Sequence, residues 1–168
     1  QKISPQLPPG KTIMSGRWVT SASIPAVDGE NSAYIQGIFD TVVQFEDGSY
    51  GVVDFKTSEA REEHVEFYGR QLSAYAYALP HPAPGKLHLS PVSKLGLLYF
   101  EPQDLKETAA DGLSLSGPAR WVEIPMDEER FENFMRAVLA LLGLPEPPPA
   151  NPQCAFFAYR EASRTTPF

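Results

Sequence analysis

Two extended segments joined by one tight turn constrain this chain more than any other feature. Residues 34–45 read Tyr-Ile-Gln-Gly-Ile-Phe-Asp-Thr-Val-Val-Gln-Phe, rich in β-branched and aromatic side chains that suit a pleated, half-buried surface. Glu46-Asp47-Gly48-Ser49 follows, with the Asp-Gly pair that favours a hairpin turn. Tyr50-Gly-Val-Val-Asp-Phe-Lys56 then reads as the returning strand. In an antiparallel pair closed by that turn, Asp40 and Asp54 lie at comparable distances from Asp47-Gly48. The fold is expected to set them side by side at the open end of the hairpin.

That placement has chemical content. A hard divalent cation takes oxygen ligands, and two adjacent aspartates supply them. Side chains on a strand repeat every second residue, so Lys56 shares a face with Asp54. Metal, water and ammonium can then converge on one phosphate.

After Thr57-Ser58 the period changes. Val65, Tyr68, Leu72, Tyr75 and Leu79 recur at three- and four-residue steps, which predicts an amphipathic helix over residues 59–79 packed on the sheet. Ser58 is read as its N-cap, with Glu59, Glu62 and Glu63 near its positive end. Gln71 and Tyr75 share one helix face, four residues apart. A polar Gln71 on the packed face needs a reason.

Gly37-x-x-Asp40, Asp54-x-Lys56 and Gln71-x-x-x-Tyr75, in that order on strand, strand and helix, resemble the motifs of the PD-(D/E)XK nuclease superfamily. The nearest resemblance is to its RecB-like and Cas4-like branch. It implies an α/β, restriction-endonuclease-like core with a central mixed β-sheet flanked by helices. It also implies a metal-dependent nuclease acting on DNA, as single strands or duplex ends, in recombination, repair or CRISPR-type systems. By that resemblance Asp40, Asp54 and the Phe55 carbonyl would ligate Mg²⁺ or Mn²⁺. Lys56 would orient the attacking water and offset transition-state charge. Gln71 and Tyr75 would hold the lysine or the DNA backbone near the site. A nuclease-fold module that binds DNA or a protein partner without cutting is the alternative.

Asn151-Pro-Gln-Cys154-Ala-Phe-Phe157-Ala-Tyr159 through Ser163 resembles the cysteine segment of iron–sulfur RecB-like nucleases, with Phe157 and Ser163 in cysteine positions. A [4Fe–4S] cluster takes four thiolates, and the chain has 1 Cys. No cluster is expected. Residues 145–168 are instead expected to fold back on the core through Phe156, Phe157 and Tyr159, with Cys154 buried as a small hydrophobe.

The remaining elements suit one domain spanning residues 1–168, expected to be a fragment of a longer chain because it begins with Gln. Residues 1–12 are expected to be an extended arm. Strands are predicted at 14–24, 94–100 (central) and 119–124. Pro80–Pro91 is a loop, Glu101–Pro118 a polar lid, and Asp127 the cap of a helix through Leu142. Phe131, Phe134, Val138 and Leu141 form that helix's buried stripe. RecB-like nucleases carry a helix before the first strand that adds a His or Glu to the metal. Residues 1–33 show prolines and no helical period, and Glu30 reads as part of a turn. An upstream segment or a helicase-type partner would have to supply that part.

A net charge of −7 argues against a broad basic DNA-binding face. It leaves room for a narrow groove with local positive charge, for which Lys11, Arg17, Arg61, Arg70 and Lys94 are candidates. No apolar run approaches a membrane span, so no membrane partner is expected, and the lone cysteine fits a cytoplasmic location.

Overall fold

The computed structural model describes residues 6–26, 29, 31–107 and 112–165. In chain order the elements are β1 (Gly10–Thr20), β2 (Ile24–Pro25), β3 (Ser32–Ala33), β4 (Gln36–Phe45), β5 (Tyr50–Lys56) and α1 (Glu62–Ala78). They continue with β6 (Val92–Phe100), β7 (Asp104–Glu107), β8 (Leu113–Ser116), β9 (Ala119–Ile124), α2 (Glu128–Leu142) and α3 (Ala155–Thr165). One five-stranded sheet in the order β1-β4-β5-β6-β9 forms the centre. The β5–β6 pair is parallel and the other pairs are antiparallel, so the sheet is mixed. The α/β fold with a mixed sheet flanked by helices is as the sequence predicts.

The hairpin at the centre of the argument forms as expected. Val42 pairs with Val52 and Thr41 with Val53, around a turn in which Gly48 has φ of 84°. Asp47 Oδ1 accepts from the Ser49 amide at 2.9 Å and from its hydroxyl at 2.7 Å, which pins the turn. Desolvation opposes these two bonds only weakly, so the Asp47 carboxyl is held below its ordinary value.

A parallel β5–β6 pair needs a crossover, and α1 supplies it. Leu72, Tyr75, Ala78 and Leu79 are buried against Val52, Leu95, Leu97 and Tyr99 of the sheet. Leu72 and Leu79 each contribute roughly 1.5–3 kcal/mol by leaving water, so this face fixes where α1 sits. Val65 and Tyr68 continue the stripe as partly buried residues.

Several expectations are corrected. The first strand begins at Gly10 and ends at Thr20, because it pairs along the whole of β4. Residues 10–12 therefore belong to the sheet and not to an arm, while residues 1–5 lie outside the described residues. Helix α1 starts at Glu62 with Arg61 at the N-cap and no side-chain cap, so Ser58 does not cap it. The side chains of Glu62 and Glu63, and Glu30 altogether, lie outside the described residues. The middle strand of the sheet is β5, with β6 beside it.

The predicted polar lid contains the hairpin β7–β8, in which Leu105 pairs with Leu115. On α2 Asp127 does cap, its side chain accepting from the Arg130 amide at 2.9 Å. Its buried residues are Phe131 and Leu139, while Phe134 and Leu141 are exposed. The C-terminal segment forms α3, with Phe156 and Tyr159 more than two-thirds exposed and Cys154 only partly buried. It does not pack on the core through those rings.

Gly96 is the tightest point of the sheet. A Cβ there would fall inside the Trp121 indole, which lies over β6 from β9. Gly96→Ala is therefore expected to destabilise the protein by about 3 kcal/mol or more, the upper range for overpacking. Denaturant unfolding checks this, and an unchanged midpoint would show that the indole can swing away freely.

Candidate active site

The site is built where β4 and β5 diverge. The last antiparallel rung is Thr41 with Val53, so the next position sets Asp40 opposite Asp54. No backbone ladder bond continues there. Instead the Phe55 amide donates to Asp40 Oδ2 at 2.9 Å. The Asp40 side chain thus takes over the pairing and ties the two strands at their open end, while the residue itself remains exposed.

Asp54 lies beneath, 3% exposed. Lys56 Nζ sits 2.6 Å from Asp54 Oδ2. That oxygen has no aligned hydrogen bond among the described residues, so the contact is a charge pair. Burial raises the Asp54 carboxyl above its ordinary 3.8, the Lys56 ammonium pulls it back, and the Asp40 charge adds to the rise. The influence of Asp40 on Asp54 agrees with their placement on facing strands.

Lys56 is held from two sides. Its Nζ also lies 3.9 Å from the centre of the Tyr68 ring, a cation–π contact from α1. Tyr68 is in turn braced by the edges of His64 and Phe67. Sequence reading placed Tyr68 only in the core stripe. The signal was there: it lies three residues before Gln71 and seven before Tyr75, on the face that meets the sheet.

Gln71 and Tyr75 are brought together as predicted. Gln71 Nε2 donates to the Tyr75 hydroxyl at 3.0 Å, and that hydroxyl donates to the Ile38 carbonyl at 2.8 Å. These bonds lead to the strand that carries Asp40, two residues away, and it is Tyr68 that touches the lysine. Gly37 explains its own place in the motif. A Cβ there would stand 2.9 Å from Tyr75 Cε1, so only glycine lets the ring pass to Ile38.

The donor set can be tested against a cation. An ammonium already rests against Asp54 Oδ2, which shows that the pocket attracts positive charge. The carboxylate oxygens of Asp40 and Asp54 are hard donors, which suit a cation such as Mg²⁺ or Mn²⁺. Among the described residues no three His, Cys, Asp or Glu side chains cluster into a closed cage. An ion held here would keep several waters, as Mg²⁺ does.

No helix among the described residues is long and apolar enough to cross a membrane. No curated protein matches the chain. A solved structure described as "Crystal structure of SSO0001" aligns with a TM-score of 0.46 at 17% identity, covering 76% of this chain and 50% of that one. The chain thus spans half the length of that protein. Residues 11–161 match the family described as the PD-(D/E)XK nuclease superfamily, a span that takes in Gly37, Asp40, Asp54, Lys56, Gln71 and Tyr75. The chain belongs to the PD-(D/E)XK nuclease superfamily, nucleases of DNA that generally use divalent metal ions.

Proposed function

We propose that this protein is a metal-dependent deoxyribonuclease of the RecB-like and Cas4-like kind. It hydrolyses phosphodiester bonds at single-stranded or duplex DNA ends, in the cytoplasm, within recombination, repair or CRISPR-type processing. The observation that supports this most is the convergence of Asp40 on the Phe55 amide and of Lys56 on Asp54, at one strand opening.

Asp40, Asp54 and the Phe55 carbonyl would hold Mg²⁺ or Mn²⁺. When bound, that ion acts as a Lewis acid on the scissile phosphate and eases deprotonation of a bound water. Lys56 orients the attacking water and offsets charge on the phosphorane-like transition state. Tyr68 limits where the ammonium can go, because its ring blocks one side of the lysine. Gln71 and Tyr75 act at one remove: they fix β4, and β4 presents Asp40. We read residues 1–168 as one domain, with a helicase or another protein of a larger complex supplying any missing ligand and much of the DNA affinity.

A second reading is favoured by the net charge of −7 together with a site in which two carboxylates meet among the described residues. It is a nuclease-fold module that binds DNA or a partner without cutting. The two readings separate in a cleavage assay on labelled single- and double-stranded DNA with Mg²⁺, Mn²⁺ or EDTA. Cutting with metal that stops in EDTA is expected. Binding without cutting under every condition would select the module.

A further inference from the structure

One cleft beside the candidate site carries arginines that the metal chemistry does not use. Lys56 pairs with Tyr99 in the β5–β6 ladder, and Tyr99 pairs with Arg120 in the β6–β9 ladder. Directly paired residues project to the same face. Lys56, Tyr99 and Arg120 therefore form a row across three strands. Two strand spacings put the Arg120 backbone roughly 10 Å from that of Lys56.

Arg120 and Arg61 line one cleft of about 330 Å³, between the start of α1 and the outer strand β9. Ala60, Val65, Val122 and the acidic Glu66 line it as well. Glu66 is countered by Arg70, whose Nη2 lies 2.8 Å from it. Arg120 makes no ion pair among the described residues. The partner of Arg61 is Glu59 at 3.6 Å, with both side chains largely in water, a pairing that gives little and is easily exchanged. Arg70, Arg136, Arg160 and Arg164, by contrast, each pair with a glutamate at 3.5 Å or less. In an acidic chain, Arg120, with no ion pair among the described residues, and Arg61, with one exposed and weak pair, line the same cleft.

We propose that the Arg61–Arg120 cleft is a phosphate track, holding the backbone of a nucleic-acid strand next to the phosphate engaged at Lys56. Each strand of a B-form duplex carries one phosphate per roughly 3.4 Å of axis, so the span from Lys56 to Arg120 covers about three in that geometry. Guanidinium forks suit phosphate oxygens bidentately, and contacts to phosphate carry no sequence information, so such a track is blind to sequence. It also answers the charge problem: the affinity comes from a narrow groove and not from a basic face. This inference rests on the nuclease reading of Asp40, Asp54 and Lys56.

The test measures binding of a fluorescent oligonucleotide by anisotropy in EDTA, from about 50 to about 200 mM KCl, and turnover with Mn²⁺. Each of Arg61→Ala and Arg120→Ala is expected to lower the slope of log affinity against log salt by about 0.7 for a single strand or about 0.9 for duplex. KM should rise several-fold while kcat stays within about twofold, the pattern of lost uniform binding. Arg120→Lys should restore most of the slope, because the charge returns. Arg136→Ala, on α2 outside the cleft, should change nothing. If wild type cuts DNA and the Arg61→Ala/Arg120→Ala double variant keeps its slope and KM, the track is refuted while the nuclease reading stands. If wild type neither binds nor cuts, both fall together.

Discussion

Lys56→Ala is expected to lower turnover by ~10²-fold or more while leaving the fold intact. The reason is the position of its ammonium, 2.6 Å from a buried carboxylate and 3.9 Å from an aromatic face. A charge so confined costs little reorganisation when negative charge develops nearby. Lys56→Arg should restore only part of the activity. The planar guanidinium is larger and cannot fill the gap between Asp54 and Tyr68 as a compact charge. Tyr68→Leu should cost less than either, because it removes the clamp and keeps the lysine. Steady-state kinetics with thermal melting checks all three. An alanine variant that cuts as fast as wild type would take Lys56 out of the mechanism.

Asp54→Asn is expected to abolish measurable cleavage and to weaken metal binding by ~10²-fold or more, as loss of a charged oxygen ligand from a small set should. The same variant has an opposite effect on the metal-free fold. The folded-state carboxyl of Asp54 is raised above 3.8, mainly by burial. A raised acid binds more protons folded than unfolded, so its contribution to stability falls as pH rises from 3.8 through the raised value. In EDTA, Asp54→Asn should therefore match wild type most closely at low pH and gain on it as pH rises through that window. Denaturant midpoints across pH measure this. A difference that shrinks with rising pH would mean that the Lys56 pairing outweighs the burial.

The hairpin, the helix stripe and the motif residues were legible because each rests on a local rule. Asp47-Gly48 fixes the turn, the turn fixes the register, and the register sets Asp40 opposite Asp54. Tyr75 reaching Ile38 was foreshadowed by Gly37, whose purpose appears only once the ring is seen beside it. The misreadings have physical causes too. Segment 101–118 looked like a loop for its Asp, Gly and Pro. Yet Leu113-Ser-Leu-Ser116 alternates with the two-residue period of a strand, and β7 lies ready to pair with it. On α2 the buried leucine is Leu139, two positions before the expected Leu141, because the neighbouring surface decides which of several leucines is covered. The aromatic rings of α3 resemble core material in sequence, but residues 145–152 put five prolines between α2 and that helix, and Phe156 and Tyr159 stay in water. Arg120 escaped notice because nothing in its local sequence marks it. Its meaning comes from a three-strand row that only the sheet order creates.

The most direct measurement is anomalous diffraction from crystals soaked in Mn²⁺. One ion is expected between Asp40 and Asp54, within reach of the Phe55 carbonyl, with Lys56 Nζ displaced from Asp54 Oδ2. Manganese density elsewhere and none between those two carboxylates, in a protein that cuts DNA with Mn²⁺, would contradict it.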